Sequence, residues 1–344
     1  MAQPCRVVQW STGTIGSYAL RAVIDHRDLH LAGVYVHGAD KAGRDAGELC
    51  GTGPTGVIAT DRVDDILALA PDCVLYMPNF ANVDDICRLL ATGCNVVTTA
   101  GQFHHPAGMD AAVREPVEAA CIAGGTSIYS TGSSPGFITE AVPLTLSSIQ
   151  RRLDHLAIDE YADLSQRNSP ELLFDVMGFG KPADTFEEFR AEYLKHSFGP
   201  SLRQLADALG LPLDSVTAAG ELATTRGDIE IAAGTLPAGS VGAQRVTITG
   251  IRNDRPLLRF RANWYCTRDL TEDWTLNETG WHISVAGDAP LEVELRMPVP
   301  LDRMAEVSPA YTANRAVNSV AAVCAAPPGI RTTADLPWII ASLA

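Results

Sequence analysis

The run Arg6-Val7-Val8-Gln9-Trp10-Ser11-Thr12-Gly13-Thr14-Ile15-Gly16-Ser17-Tyr18-Ala19-Leu20 decides the fold. A short apolar stretch enters a turn of small residues, and the turn opens a segment whose Ile15, Ala19, Ala22 and Val23 recur at helical spacing. The pattern predicts strand, tight turn, helix. In a dinucleotide-binding βαβ unit the glycines let the backbone approach a pyrophosphate, and the helix N-terminus offers it N–H groups and partial positive charge. Ser11 takes the first glycine place of Gly-x-Gly-x-x-Gly, while Gly13 and Gly16 keep the second and third. Serine fits that place if its φ stays negative, and its hydroxyl can bond a phosphate. Ser11, Thr12, Gly13, Thr14, Ile15 and Gly16 are thus the expected pyrophosphate turn.

Residues 31–36 read as the second strand. An acidic side chain at its end would bond the adenosine ribose, whereas cations accommodate a 2′-phosphate. The strand ends instead on His37, with Lys41 and Arg44 close behind, which favours NADP(H); Asp40 keeps NAD(H) open. Helix-like segments (61–70, 83–91, 111–123) then alternate with apolar strands (73–77, 95–99, 127–129), the signature of a parallel sheet covered on both faces. Ligands on such sheets lie beyond the strand C-termini. That rule nominates Met77-Pro78-Asn79, Thr99-Ala100-Gly101-Gln102 and Gly132-Ser133-Ser134-Pro135-Gly136 as cofactor or active-site loops. Pro78 and Ala100 are the expected walls around ribose and nicotinamide, and Gln102 the group that orients the reacting atoms.

From residue 154 the alternation yields to β-type runs at 156–162, 221–226, 229–233, 245–251, 257–265, 282–285 and 291–297. Phe260, Ala262 and Trp264 alternate with Arg259, Arg261 and Asn263, so one face is apolar. Asn253-Asp254-Arg255 reads as a hairpin turn. Helical periods cover 185–196 and 202–209. A closing helix at 309–324 places Asn314 and Asn318 on one face. The expected architecture is α/β: an N-terminal Rossmann-type doubly wound parallel sheet, residues 1–140 joined by 305–344, and a C-terminal α+β domain, residues 141–304, with an open, mostly antiparallel sheet.

The formal charge is 26 − 41 = −15 over 344 residues, so nucleic acid and anionic membranes are unexpected partners. The eight cysteines form no Cys-x-x-Cys and lie mostly in apolar runs, which predicts reduced thiols, a cytoplasmic setting and no metal site. No leader-like segment and no apolar run of membrane-spanning length is present.

Four runs together resemble the dihydrodipicolinate-reductase-like dehydrogenases: Ser-Thr-Gly-Thr-Ile-Gly at 11–16, the stretch 41–51, Gly-Ser-Ser-Pro-Gly-Phe-Ile-Thr-Glu at 132–140, and Ala-Pro-Pro-Gly-Ile at 326–330. Within that group the chain is most similar to the 2,4-diaminopentanoate dehydrogenase and native amine dehydrogenase branch. The resemblance implies NAD(P)(H), reversible exchange of an amine with its ketone or aldehyde plus ammonia, and a homodimer formed through the second domain. The His-His-x-x-x-Lys run of true dihydrodipicolinate reductases is absent.

One position departs from the branch. Where its members carry a glutamate that moves protons during imine chemistry, alignment on Pro106 puts Gln102, and an amide is no base at neutral pH. Three explanations stay open. His104 or His105 supplies the proton, imidazole being the side chain that titrates near neutrality; Glu140, Asp159 or Glu160 reaches in; or the reaction is a reduction without ammonia, or simple dinucleotide binding. Two adjacent histidines point different ways on a regular backbone, so at least one is expected to be surface or structural. On a strand, Asp159 and Tyr161 share one face and Glu160 takes the other, and Tyr161 is the expected pocket residue. Phe137, Met177, Phe179 and Trp264 favour a small to medium, uncharged, hydrophobic substrate, with no arginine clamp among the candidates.

Overall fold

Short strands buried on both sides organise the first part of the chain. The computed structural model describes residues 3–183 and 186–343. In chain order the elements are β1 (Cys5–Trp10), α1 (Thr14–Ile24), β2 (Leu29–Tyr35), α2 (Ala46–Cys50), α3 (Val63–Ala68), β3 (Cys73–Tyr76), α4 (Val83–Ala91), β4 (Asn95–Thr98), α5 (Ala111–Gly124) and β5 (Ser127–Ser130). Then come α6 (Val142–Ser147), β6 (Leu153–Asp163), α7 (Glu188–Ala208), β7 (Ser215–Thr224), β8 (Ile229–Ile231), β9 (Gly234–Leu236), β10 (Val241–Arg252), β11 (Arg255–Tyr265), β12 (Gly280–Gly287) and β13 (Leu291–Arg296). The last two are α8 (Met304–Cys324) and β14 (Gly329–Arg331). Two units result: Met1–Phe137 with Ser308–Ala344, and Ile138–Val307.

The first unit carries a six-stranded sheet in the order β14-β5-β4-β3-β1-β2, parallel throughout. Every residue of β3 and β5 is buried, as a sheet covered on both faces requires. Strand order reverses between β1 and β3, and there the Met77 N–H donates to the Trp10 carbonyl at 3.1 Å. Such a switch point is where doubly wound sheets bind ligands. Local chemistry sets the helix ends. The Asn82 side chain accepts from the N–H groups of Asp84 and Asp85 at the start of α4, and Gly125 ends α5 at φ 67°.

In the second unit β13-β12-β6-β11-β10-β7 form an open sheet in which only β6 and β11 run parallel. Leu156, Ile158, Val246, Ile248, Leu258 and Phe260 are buried on the face that α7 covers, and Phe198 of α7 stacks on Phe260 at 4.1 Å. Asn253 and Asp254 both take positive φ, 50° and 57°, and close a two-residue hairpin between β10 and β11.

Four elements differ from the sequence reading. The segments 185–196 and 202–209 belong to one helix, α7, which continues through Pro200 because burial against the sheet outweighs the lost backbone bond; Thr185 itself lies outside the described residues. Strand β7 begins at Ser215, ahead of residue 221, in an alanine- and glycine-rich stretch with little strand propensity. Helix α2 and strand β14 are too short to leave a period.

Candidate cofactor and substrate site

The turn after β1 meets the demands of an anion-binding loop. Helix α1 starts at Gly13 with no side-chain cap, so its first N–H groups stay available. A Cβ on Gly16 would stand 2.2 Å from the Ser11 carbonyl oxygen, so only glycine fits there. Ser11 adopts φ 75°, contrary to the negative value expected. The turn holds it in this left-handed conformation: the Ser11 N–H donates to the Tyr35 carbonyl at 2.8 Å, and its own carbonyl accepts from Gln9 Nε2 at 2.9 Å. The residues present therefore fit a dinucleotide pyrophosphate.

Around that turn the structure gathers several of the nominated residues. His37 Nδ1 lies 3.4 Å from Ser11 Oγ. Lys41 Nζ donates to the Thr12 carbonyl at 3.1 Å, which puts an ammonium group on the turn itself. Arg44 is turned away, held by Glu48 at 2.8 Å. Beneath them Trp10 stacks on Tyr35 at 3.8 Å, and the His37 ring meets Tyr35 edge-on at 5.1 Å.

The loops beyond β4 and β5 are joined: Ser130 Oγ donates to the Ala100 carbonyl at 2.8 Å and the Thr131 N–H to the Thr98 carbonyl at 2.9 Å. Residues Gly101–Phe103 form one turn of 3₁₀ helix that leaves Gln102 exposed and buries Phe103. His104 and His105 are both buried. Helix α8 closes on the β5 loop. Thr312 Oγ1 and Ser133 Oγ are 2.7 Å apart, and a Cβ on Gly132 would press the Thr312 methyl at 3.2 Å. Asn318, two turns further along, is half-buried, while Asn314 is exposed. Phe137 has the Arg315 guanidinium carbon 6.0 Å from its ring centroid, so a cation does stand beside one of the apolar candidates.

The second unit holds a cavity of about 560 Å³ lined by Leu164, Leu172, Met177, Tyr193, Val246 and Trp264, among others. Its size and apolar walls suit a small organic ligand. Met177 lines it, and Phe179 is buried in the adjoining core. Tyr161 does not line it: strand alternation sends Ala162 to the cavity and Tyr161 to the opposite face, against the cluster of Ala223, Ala243, Tyr265 and Leu270. Burial first, then the charge of Asp159, pushes the Tyr161 phenol up from its ordinary range, so it stays protonated at neutral pH.

Each alternative carboxylate is already engaged. Asp159 accepts from Arg259 at 2.6 Å and lies 3.7 Å from Arg261. Glu160, on the other face as predicted, accepts from the Trp281 indole at 2.8 Å. Glu140 is buried and accepts from Ser201 Oγ at 2.6 Å. Arg226 pairs with Asp269, and Arg268 donates to the Tyr265 hydroxyl. Sequence reasoning nominated Ser134 within the 132–136 loop but passed over Thr131, which directly precedes it, and Arg315. Only the closeness of Arg315 to that loop, invisible along the chain, would have raised it. Among the described residues no cluster of His, Cys, Asp and Glu can hold a metal, and no helix is long and apolar enough to cross a membrane.

The parallel sheet, its switch point and the glycine turn define a Rossmann-type dinucleotide-binding fold. Residues 137–344 match the 2,4-diaminopentanoate dehydrogenase C-terminal domain, and the chain belongs to that family. It is 29% identical over 353 aligned positions to an amine dehydrogenase of Streptomyces virginiae, covering 96% of this chain and 95% of that one. Its fold is similar to that of the amine dehydrogenase from Mycobacterium smegmatis, with TM-score 0.76 and 20% identity over 98% of this chain and 97% of the other. It also resembles scyllo-inositol dehydrogenase from Lactobacillus casei, solved with NAD(H) and scyllo-inositol, with TM-score 0.55 and 13% identity over 96% and 92% of the two chains.

Proposed function

We propose that the chain is an NAD(P)H-dependent amine dehydrogenase that interconverts a small hydrophobic amine with its ketone or aldehyde plus ammonia. The observation that carries this reading is the likeness to an amine dehydrogenase along 96% of the chain. NADP(H) is the preferred form, because β2 ends without a carboxylate and Lys41 stands on the turn; NAD(H) is the alternative.

A nicotinamide dinucleotide supplies the hydride when bound. The chain's own residues do the rest. Residues 11–16 hold the pyrophosphate on open N–H groups, with Lys41 and His37 at the adenosine end. Met77, Pro78, Asn79, Ala100 and Gly101 wall the ribose and nicotinamide, with Asn318 beside them. Gln102 orients ammonia or amine through hydrogen bonds and takes no proton. His104 exchanges the proton that an amide cannot. Phe137 contacts the carbon skeleton and excludes water from it. The eight free cysteines suit a reducing cytoplasm, and the reading takes the working form as a homodimer.

The test is NADPH oxidation with a panel of small ketones and aldehydes, with and without ammonium, on wild type and Gln102→Glu. Ammonium-dependent turnover by wild type supports the reading and makes His104→Ala the next variant. Ammonium-independent turnover by wild type favours a carbonyl reductase, the reading that Gln102 motivates. Turnover only in Gln102→Glu means that the natural chain has left amine chemistry.

A further inference from the structure

Three buried polar atoms around the β5 loop have no hydrogen-bond partner: Thr131 Oγ1, Ser134 Oγ and Arg315 Nε. Native interiors pair such atoms, and a group of orphans marks a place where a ligand completes the bonding. The Arg315 side chain makes no hydrogen bond or ion pair with any of the described residues; its one recorded contact is the Phe137 ring. By contrast, Arg226, Arg261 and Arg268 are all engaged.

The loop and the helix are fastened together. Thr312 of α8 bonds Ser133, and Arg315 stands one helical turn on from Thr312, against Phe137. The loop curls so tightly that a Cβ on Gly136 would lie 2.9 Å from Thr131 Oγ1, which keeps that hydroxyl beside the turn. The cluster also follows a strand C-terminus, the end of the sheet where ligands bind.

We propose that Arg315, with Thr131 and Ser134, forms an anion-binding subsite for a ligand bearing terminal oxygens, either a substrate carboxylate or a dinucleotide phosphate. Guanidinium is donor-only and permanently charged, and a hydroxyl can donate to the same acceptor. Each of these groups can donate to an acceptor-rich anion, whereas an uncharged amine or ketone leaves the guanidinium without a counter-charge. The expectation of a wholly uncharged substrate then fails if the carboxylate is the occupant. The substrate alternative rests on the amine dehydrogenase reading; the anion subsite itself does not.

Calorimetric titration separates the sources on wild type, Arg315→Met and Arg315→Lys. The probes are NADPH, NADH, and, with cofactor present, 5-oxohexanoate against the neutral 2-heptanone. Loss of a charged hydrogen-bond donor predicts a weakening of about 10- to 100-fold for the anion that occupies the site. Arg315→Lys, which keeps charge but not the planar fork, falls between. A loss confined to 5-oxohexanoate assigns a substrate carboxylate; a loss for both dinucleotides assigns a phosphate. If both Arg315 variants bind all four probes as wild type does, the proposal is overturned. Should Arg315→Met fail to fold, Arg315→Lys and Thr131→Val carry the same comparison. These are binding measurements, so an absence of amine turnover would sink the proposed reaction and leave the subsite readable.

Discussion

Gly16 lies so close under Ser11 that a Cβ on it would stand 2.2 Å from the Ser11 carbonyl oxygen. The obstacle is backbone, which cannot swing aside as a flexible side chain would. Gly16→Ala must therefore push the turn open or shift the start of α1. The expected cost is about 1–3 kcal/mol of stability, the range for overpacking a fixed site. Displacing the N–H groups weakens dinucleotide binding by at least about tenfold, or 1.4 kcal/mol. Urea unfolding and NADPH fluorescence titration check both; an alanine variant with wild-type affinity would show that the turn does not hold the cofactor.

The legible parts of this chain were those whose physics is local. The turn at 11–16 announced itself because glycine spacing and a change of hydrophobic period fall side by side, and α4 at Val83–Ala91 was readable to the residue from its amphipathic pattern and the Asn82 cap. The misread parts depend on distant partners. Pro200 signals a break until the sheet beneath α7 is known, and the alanines of β7 become a strand only through pairing with β10. Which face of β6 carries the second unit's cavity is set by α7, a distant partner, and the chemistry that makes Tyr161 a pocket candidate does not say which face it takes. Arg315 gave no signal, since the loop that it serves lies far away along the chain and meets α8 through Ser133 and Thr312.

Lys41 and Arg44 were paired as phosphate ligands, and their surroundings separate them. Lys41 Nζ bonds the Thr12 carbonyl at 3.1 Å, whereas Arg44 is held in an exposed pair with Glu48 at 2.8 Å. Lys41→Ala is expected to raise the Kd for NADPH about tenfold, as loss of a charged hydrogen bond does, and to change that for NADH less. Arg44→Ala has a smaller effect, because exposed pairs are weak and their members are already neutralised. Titration of both variants with both cofactors checks this. Equal losses for NADPH and NADH in Lys41→Ala would move the ammonium group from the 2′-phosphate to the pyrophosphate.

Asp159 holds two arginines on the polar face of the second sheet, Arg259 at 2.6 Å and Arg261 at 3.7 Å, and its side chain is only 11% exposed. Removing one member of a buried ion pair leaves uncompensated charge, which costs about 3 kcal/mol or more. Asp159→Asn should lower the urea midpoint accordingly with an unchanged m-value. Adding Arg259→Met should restore part of the loss, since it removes one of the stranded charges. If the two changes destabilise additively, the pair does not couple in the way that its geometry implies.

His155, on the same strand, gives the pH dependence its sign. Burial first, and then the neighbouring Arg259, lower its pKa from the ordinary 6.5, against an opposing pull from Asp159. The unfolded chain therefore binds a proton at His155 at a pH where the folded chain does not. Stability contributed by this site is fully present above about pH 6.5 and is lost as the pH falls through the depressed folded value. Substituting His155→Gln removes the titrating group, so the drop in unfolding midpoint between pH 7.5 and pH 5.5 should be smaller in the variant. The Arg259→Met chain, which lacks the cation that disfavours protonation, should lie between the two. A wild type and His155→Gln that lose stability in parallel over that interval would mean that the acid sensitivity arises elsewhere, and that the imidazole is solvated well enough to titrate normally.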